Sequence, residues 1–285
     1  MTRVVLVHGV GQQYVGESML ASVDVPALLD GMARAGYSDI AARDVACAFY
    51  GDLFRPVERM LGDYSPAFDE GDLDEGFETD ILVRWWHEAA RTDPEVPPPD
   101  ERTLARTPKT VQAALNALSG SAFFRGLTDR ALIGDLKQMN RYFREPALRQ
   151  AAVARVHREI DENTRVLVGH SMGSVVAYEA LCANPGWPLQ AFVTLGSPLG
   201  IRNLIYDKLL PTPGLWPGPV RSWVNIVDAG DVVALVKDLR PLFGPAVSNV
   251  LVHNGARAHD MTRYLTSAAV GRAIADGLGE TVAPG

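Results

Sequence analysis

The sequence predicts an α/β protein: a mainly parallel sheet of about six strands, helices on both faces, and one large helical insertion. Three observations carry this. Short β-branched runs alternate with helix-forming stretches, the pattern of a doubly wound parallel sheet. Nearly every residue type with chemistry to offer comes just after such a run, at the carboxyl end of a strand, where open α/β sheets bind ligands. Finally, no buried strand is legible from about Leu53 to Arg155, and a structureless loop of that length is implausible inside a compact domain. The expected division is a core of residues 1–52 and 156–285 with a helical insertion at 53–155.

Arg3 to Val7 is a continuous β-branched run of the buried parallel kind, ending in His8-Gly9-Val10-Gly11. Glu17 to Ala35 reads as helix, with a possible interruption at Pro26 and a terminator at Gly36. Asp44 to Phe49 is the second strand. The insertion opens with an acidic run, Asp69 to Asp80, read as a solvated loop because its acids and glycines miss the offsets of a calcium-binding hand. Trp85 and Trp86 are expected to pack helices together or to line an entrance. After a proline break at Pro94 to Pro99 come helical patterns at Pro108 to Leu118, Thr128 to Phe143 and Glu145 to Ile160. The arginines at 141, 144, 149, 155 and 158 recur at helical spacing and read as a solvated face.

Val166-Leu167-Val168 then feeds Gly169-His170-Ser171-Met172-Gly173, and a helix-forming run follows until Asn184-Pro185. Ala191 to Leu195, Ser222 to Val227 and Val247 to Val252 are the remaining strands, with a last helix from Asp260 to about Leu278.

Composition narrows the function. The chain has 285 residues, 47% of them hydrophobic and 21% charged, the profile of a globular protein with a sizeable core. A net charge of −7 with no basic stripe argues against nucleic acid. Cys47 and Cys182 lie in apolar runs and read as reduced core residues. The apolar run after Met1-Thr2-Arg3 is too short for a signal peptide, and no run reaches membrane-spanning length, so a cytoplasmic protein without a transmembrane segment is expected. No metal-binding motif or cofactor fingerprint is present: Gly9-Val10-Gly11 lacks the third glycine of a dinucleotide-binding turn.

A strand, a Gly-x-Ser-x-Gly turn and a helix in immediate succession form a nucleophile elbow, with Ser171 at its apex. Side chains at Gly169 or Gly173 would crowd that turn or the adjoining strand. A serine hydroxyl needs an imidazole to take its proton. Of the six histidines, His8 and His170 sit within turns, His170 being expected to point elsewhere, and His87 and His157 sit in helical patterns. His259, in a loop beyond the last strand, is the expected base, with His253 the alternative. The acid is Asp231 or Asp228, both following the strand that ends at Val227. Asp228 is placed to close an Asx-turn onto the residue two on, whereas Asp231 emerges from the turn that Gly230 permits.

With Gly-His-Ser-Met-Gly, the early His-Gly-Val-Gly, Thr194-Leu195-Gly196-Ser197-Pro198 and Ala258-His259-Asp260, the chain resembles serine α/β-hydrolases of the lipase/esterase type, compact bacterial and deacylase-like lipases especially. The resemblance covers the two flanks of the chain and not its middle. It implies an α/β-hydrolase fold with a shortened sheet, a catalytic triad of Ser171, Asp231 and His259 in the chain order of that family, and an oxyanion hole built from the N–H groups of Val10 and Met172. The position of Asp231, after the turn and before the apolar pair Val232-Val233, matches that of the acid in those lipases. A serine at the apex disfavours dehalogenase or epoxide-hydrolase chemistry. The expected activity is hydrolysis of a carboxylic ester of a small-molecule or lipid-like acyl substrate through an acyl-enzyme. An acyltransferase or thioesterase with the same triad, or a binding module without catalysis, are the alternatives.

Overall fold

The computed structural model describes residues 1–55, 68–99, 108–121, 124 and 128–279. Its centre is a six-stranded, wholly parallel sheet in the order β2-β1-β3-β4-β5-β6. The strands are β1 (Val4–Val7), β2 (Val45–Ala48), β3 (Val166–His170), β4 (Ala191–Leu195), β5 (Ser222–Asp228) and β6 (Val247–Val252). Each lies on a strand legible in the sequence. The inner strands β1, β3 and β4 are buried at every residue, which is why they read as continuous apolar runs, while the edge strand β6 alternates toward solvent.

Alternate residues of the strands enter two cores. Val4, Leu6, Val166, Val168 and Val193 pack under α1 (Glu17–Arg34) and α9 (Ala268–Leu278). Val5, Val7, Leu167 and Phe192 point the other way, to α5 (Pro146–Glu159) and α6 (Met172–Ala183). The helices of the insertion, α2 (Phe77–Thr92), α3 (Pro108–Gly120) and α4 (Asp129–Arg144), continue that second core through Ile81, Leu115, Ile133 and Leu136. Helix α5 packs on β1, β2 and α6. The boundary expected between residues 155 and 156 therefore falls inside a helix that lies on the sheet.

Several local expectations are corrected. Pro26 does not interrupt α1; it sits on the exposed side, where the carbonyl its ring leaves without a donor can be hydrated. The expected final helix is two, α8 (Met261–Leu265) and α9, because Asp260 caps the first and Ser267 Oγ accepts the Ala269 N–H to start the second. The acidic run is not merely a solvated loop. Glu78 is buried and, with Asp74, accepts from Asn140 Nδ2 at 2.8 and 2.9 Å, while Lys137 and Arg144 reach the same carboxylates. Arg149 likewise leaves the solvated face: its side chain pairs with buried Glu179, which also accepts the Tyr142 hydroxyl at 2.6 Å. Both cysteines are free. Among the described residues no helix is long and apolar enough to cross a membrane.

The chain steps from β1 outward to β2 and then returns to the other side of β1 to lay down β3. The strand order thus reverses between β1 and β3, and the crevice above their carboxyl ends is where a ligand is expected in such a sheet. The His8–Gly11 turn leaves β1 at that point, and Ser171 leaves β3 beside it.

Candidate active site

Ser171 stands between β3 and α6 with φ 51° and ψ −130°, a left-sided conformation that costs a side-chain-bearing residue of order 1–3 kcal/mol. The strain is held by its surroundings. The Ser171 N–H donates to Leu195 O at 2.9 Å, and Ser171 O accepts the Ser174 hydroxyl at 2.6 Å. Ser174 is tied in turn to Ser197 Oγ at 2.7 Å. Gly173 is required by close approach, since a Cβ there would sit 2.2 Å from His8 O.

The His-Gly-Val-Gly turn is fixed from below and above. Buried His8 accepts the Tyr50 N–H at Nε2, 3.1 Å, so its proton is on Nδ1, which donates to Gly9 O at 2.6 Å. Burial holds this imidazole neutral, with its pKa lowered to about 4. From the insertion, Gln138 accepts the Gly11 N–H at 3.3 Å and donates to Gln13 Oε1 at 3.0 Å. Neither the Val10 nor the Met172 N–H has a hydrogen-bond partner among the described residues.

At the far ends of β5 and β6 the structure separates the two aspartates and the two histidines. His259 Nδ1 donates to Asp231 Oδ2 at 2.8 Å. Asp231 is fully buried, and its Oδ1 accepts the N–H groups of Val233 at 3.0 Å and Ala234 at 3.3 Å. Burial alone would raise its pKa, but His259, Tyr264 and Lys237 together hold the carboxyl below the usual range, so it is ionised. With Nδ1 protonated and committed, the lone pair of His259 is on Nε2. Asp228 instead closes the expected Asx-turn, accepting the Gly230 N–H at 2.7 Å, and also accepts the Asn254 N–H. Its histidine neighbour, His253, is 3.9 Å away and 90% exposed.

Three residues to which the sequence reading gave no part in the site complete the arrangement. The Tyr264 hydroxyl donates to Asp231 Oδ2 at 2.7 Å and accepts the Asp228 N–H at 2.8 Å, joining the two aspartates. Gly196, at φ 53°, leaves room for the pair; a Cβ there would lie 2.5 Å from Asp231 Oδ2 and 3.0 Å from His259 Nδ1. His170 does not point away from the site. Its ring is 4.7 Å from that of His259, and its Nε2–H donates to His259 O at 2.8 Å, which pins the loop carrying that residue. Burial, then the nearby His259, lowers its pKa to about 3, so it stays neutral. The Leu195-Gly196-Ser197 tripeptide was a signal for Gly196; nothing local marks Tyr264.

No protein-family model matches the chain, and neither a curated protein nor a solved structure matches it. The geometry alone speaks for the site.

Ser171, His259, Val10 and His170 face one cavity of about 730 Å³, within the range of small-molecule sites. The insertion supplies much of its apolar wall: Trp85, Phe124, Leu132 and Met139. Trp85 faces the cavity, while Trp86 turns away and donates to Pro97 O at 2.7 Å. Among the described residues there is no cluster of side chains suited to a metal ion.

Proposed function

We propose that the chain is a serine hydrolase that cleaves a carboxylic ester through a Ser171–His259–Asp231 triad and an acyl-enzyme. The observation that carries the reading is the buried Asp231 carboxylate bonded to His259 Nδ1, which turns His259 Nε2 to the role of base on the same cavity as a strained serine at the start of a helix.

In this mechanism Ser171 Oγ attacks the ester carbonyl carbon while His259 Nε2 takes the hydroxyl proton. The imidazolium is stabilised by Asp231, which keeps its negative charge because four donors hold it. The carbonyl oxygen becomes an oxyanion and accepts the N–H groups of Val10 and Met172, which have no competing partner in the described structure. Collapse of the tetrahedral intermediate breaks the C–O bond, and the departing alkoxide takes the proton from His259 to leave as the alcohol. Water then attacks the acyl-enzyme, giving a proton to His259, and the second collapse releases the carboxylic acid as Ser171 recovers its proton. The apolar wall of Trp85, Phe124, Leu132 and Met139 suits an acyl chain. Two free thiols suit a reducing compartment, and we assign the enzyme to the cytoplasm.

The test is a series of p-nitrophenyl esters of increasing chain length together with a fluorophosphonate probe. Hydrolysis and labelling are expected in the wild type, with the adduct mapped to Ser171. Ser171→Ala should abolish labelling and lower kcat by on the order of 10⁶-fold with the fold intact. An adduct on Ser174 or Ser197 overturns the assignment.

A further inference from the structure

The cavity that holds Ser171 and His259 is also lined by three carboxyl groups, Asp24, Asp135 and Asp260, and by one guanidinium, Arg257. Asp260 is occupied: it caps α8 through the N–H groups of Thr262 and Arg263, and Arg257 approaches it at 3.4 Å. Asp24 and Asp135 are different. Asp24, on α1, is 3% exposed, and its Oδ2 is buried without any partner. Asp135, on α4, lies against Gly11 of the His-Gly turn, and no protein group among the described residues donates to it. The sequence offered no reason to single out either.

A carboxyl oxygen removed from water with no donor, as Asp24 Oδ2 is, is costly, and proteins ordinarily pair such groups or give them a ligand; Asp135 is half-buried and likewise without a donor among the described residues. These two stand on separate elements of the protein, one in the core and one in the insertion, and both line the same cavity. Their shared deficit is positive charge. Arg257 cannot supply it, being exposed and directed at Asp260.

We propose that Asp24 and Asp135 recognise a cationic group, so that the ester taken by this cavity carries an ammonium or a similar organic cation. The inference rests on the ester-hydrolase reading for the word ester, but not for the cation. Burial pushes both carboxyls up to about 7, Asp24 further assisted by Asp260 and Asp135 opposed by His259. A bound cation draws each of them into the ionised form, so that the charge is present when its partner is. The apolar wall around them would hold the alkyl part of the same ligand.

Binding tests the cation without reference to turnover. Titration calorimetry of the full chain with n-heptylammonium and with 1-heptanol compares ligands of similar length that differ in charge. The ammonium is expected to bind on the order of ten-fold more tightly. That preference should fall in Asp135→Asn, whose side chain is on the cavity wall, and vanish in the Asp24→Asn/Asp135→Asn double variant. Equal affinity for the two ligands in the wild type, or a preference unchanged in Asp135→Asn, overturns the proposal. Kinetics with p-nitrophenyl 6-aminohexanoate against p-nitrophenyl heptanoate then separates the readings. If neither ester is hydrolysed but heptylammonium is preferred, the hydrolase reading fails and the cation site stands. If heptanoate is hydrolysed and heptylammonium is not preferred, the cation site fails alone. An equal loss of kcat on both esters in Asp135→Asn would assign Asp135 to support of His259 instead.

Discussion

Two histidine–aspartate pairs stand at the same edge of the sheet, Asp231–His259 and Asp228–His253. By sequence they are near twins, the aspartates ending or following β5 and the histidines following β6. In the structure one pair is buried and bonded at 2.8 Å, and the other is 3.9 Å apart with its histidine 90% exposed. The difference lies in the donors. Asp231 takes two backbone N–H groups, a tyrosine hydroxyl and the imidazole, whereas Asp228 spends its oxygens on Gly230 and Asn254, the stitching of a turn. Proximity to a histidine is cheap; a desolvated carboxylate that stays charged has to be built.

The largest effect should come from breaking the buried pair. Asp231→Asn keeps the shape but presents the wrong partner to His259 Nδ1, and kcat should fall by on the order of 10⁴-fold. Asp228→Asn should cost far less, and steady-state kinetics giving the reverse order would exchange their roles. Tyr264→Phe tests the link between the two aspartates. It removes a donor from Asp231 and leaves the buried Asp228 N–H without its acceptor, so stability should fall by about 1–3 kcal/mol in urea titration.

The pH dependence of stability sharpens the contrast between donors and no donors. Asp231 is held below the usual carboxylate range, so its contribution is present above about pH 4 and is lost as pH falls through its folded value. Asp24 has the opposite sign. Its folded pKa is raised to about 7, so the folded chain keeps a proton that the unfolded chain loses near 4. Stability therefore falls as pH rises from about 4 to about 7 and levels off above. Asp24→Asn should narrow the drop in Tm between pH 5 and pH 8, and an unchanged drop would mean the carboxyl is not desolvated. The smallest effect is expected at the exposed pair: His253→Gln should leave kcat and Tm alike, within about twofold and 0.5 kcal/mol.

What was legible in the sequence was local. The inner strands and most helix bounds could be read because burial on both faces of a parallel sheet writes a continuous apolar run, and because Thr128, Gly36 and Pro185 punctuate their neighbours. The crowding at Gly173 was legible for the same reason, since the strand beside it is dictated by the fold. Tyr264 was not, because its partner Asp231 is 33 residues away and only the docking of α8 brings them together. His170 was misread: adjacency to Ser171 suggested a side chain turned away, but the course of the loop ending at His259 decides where it points. Arg149 and Glu78 were both misread as surface charge, Arg149 because a helical period cannot tell a solvated face from one that meets a buried counter-charge, and Glu78 because a run of acids does not show which of them turns inward to a partner.

The order of the strands has a consequence for how the chain is made. Val4 of β1 pairs with Val45 on one side and with Val166 on the other, so half of the first strand's partners are synthesised about 160 residues after it. At ribosomal speeds of roughly 5–20 residues per second, that interval is on the order of ten seconds or more. Throughout it, one edge of a wholly apolar strand is without its neighbour, while α2 and α4, whose contacts are closer in sequence, have their partners much sooner. The crevice between β1 and β3 is thus closed by the last step that joins the two flanks, and the site at its mouth exists only once the long arm between them has been spun out and folded back.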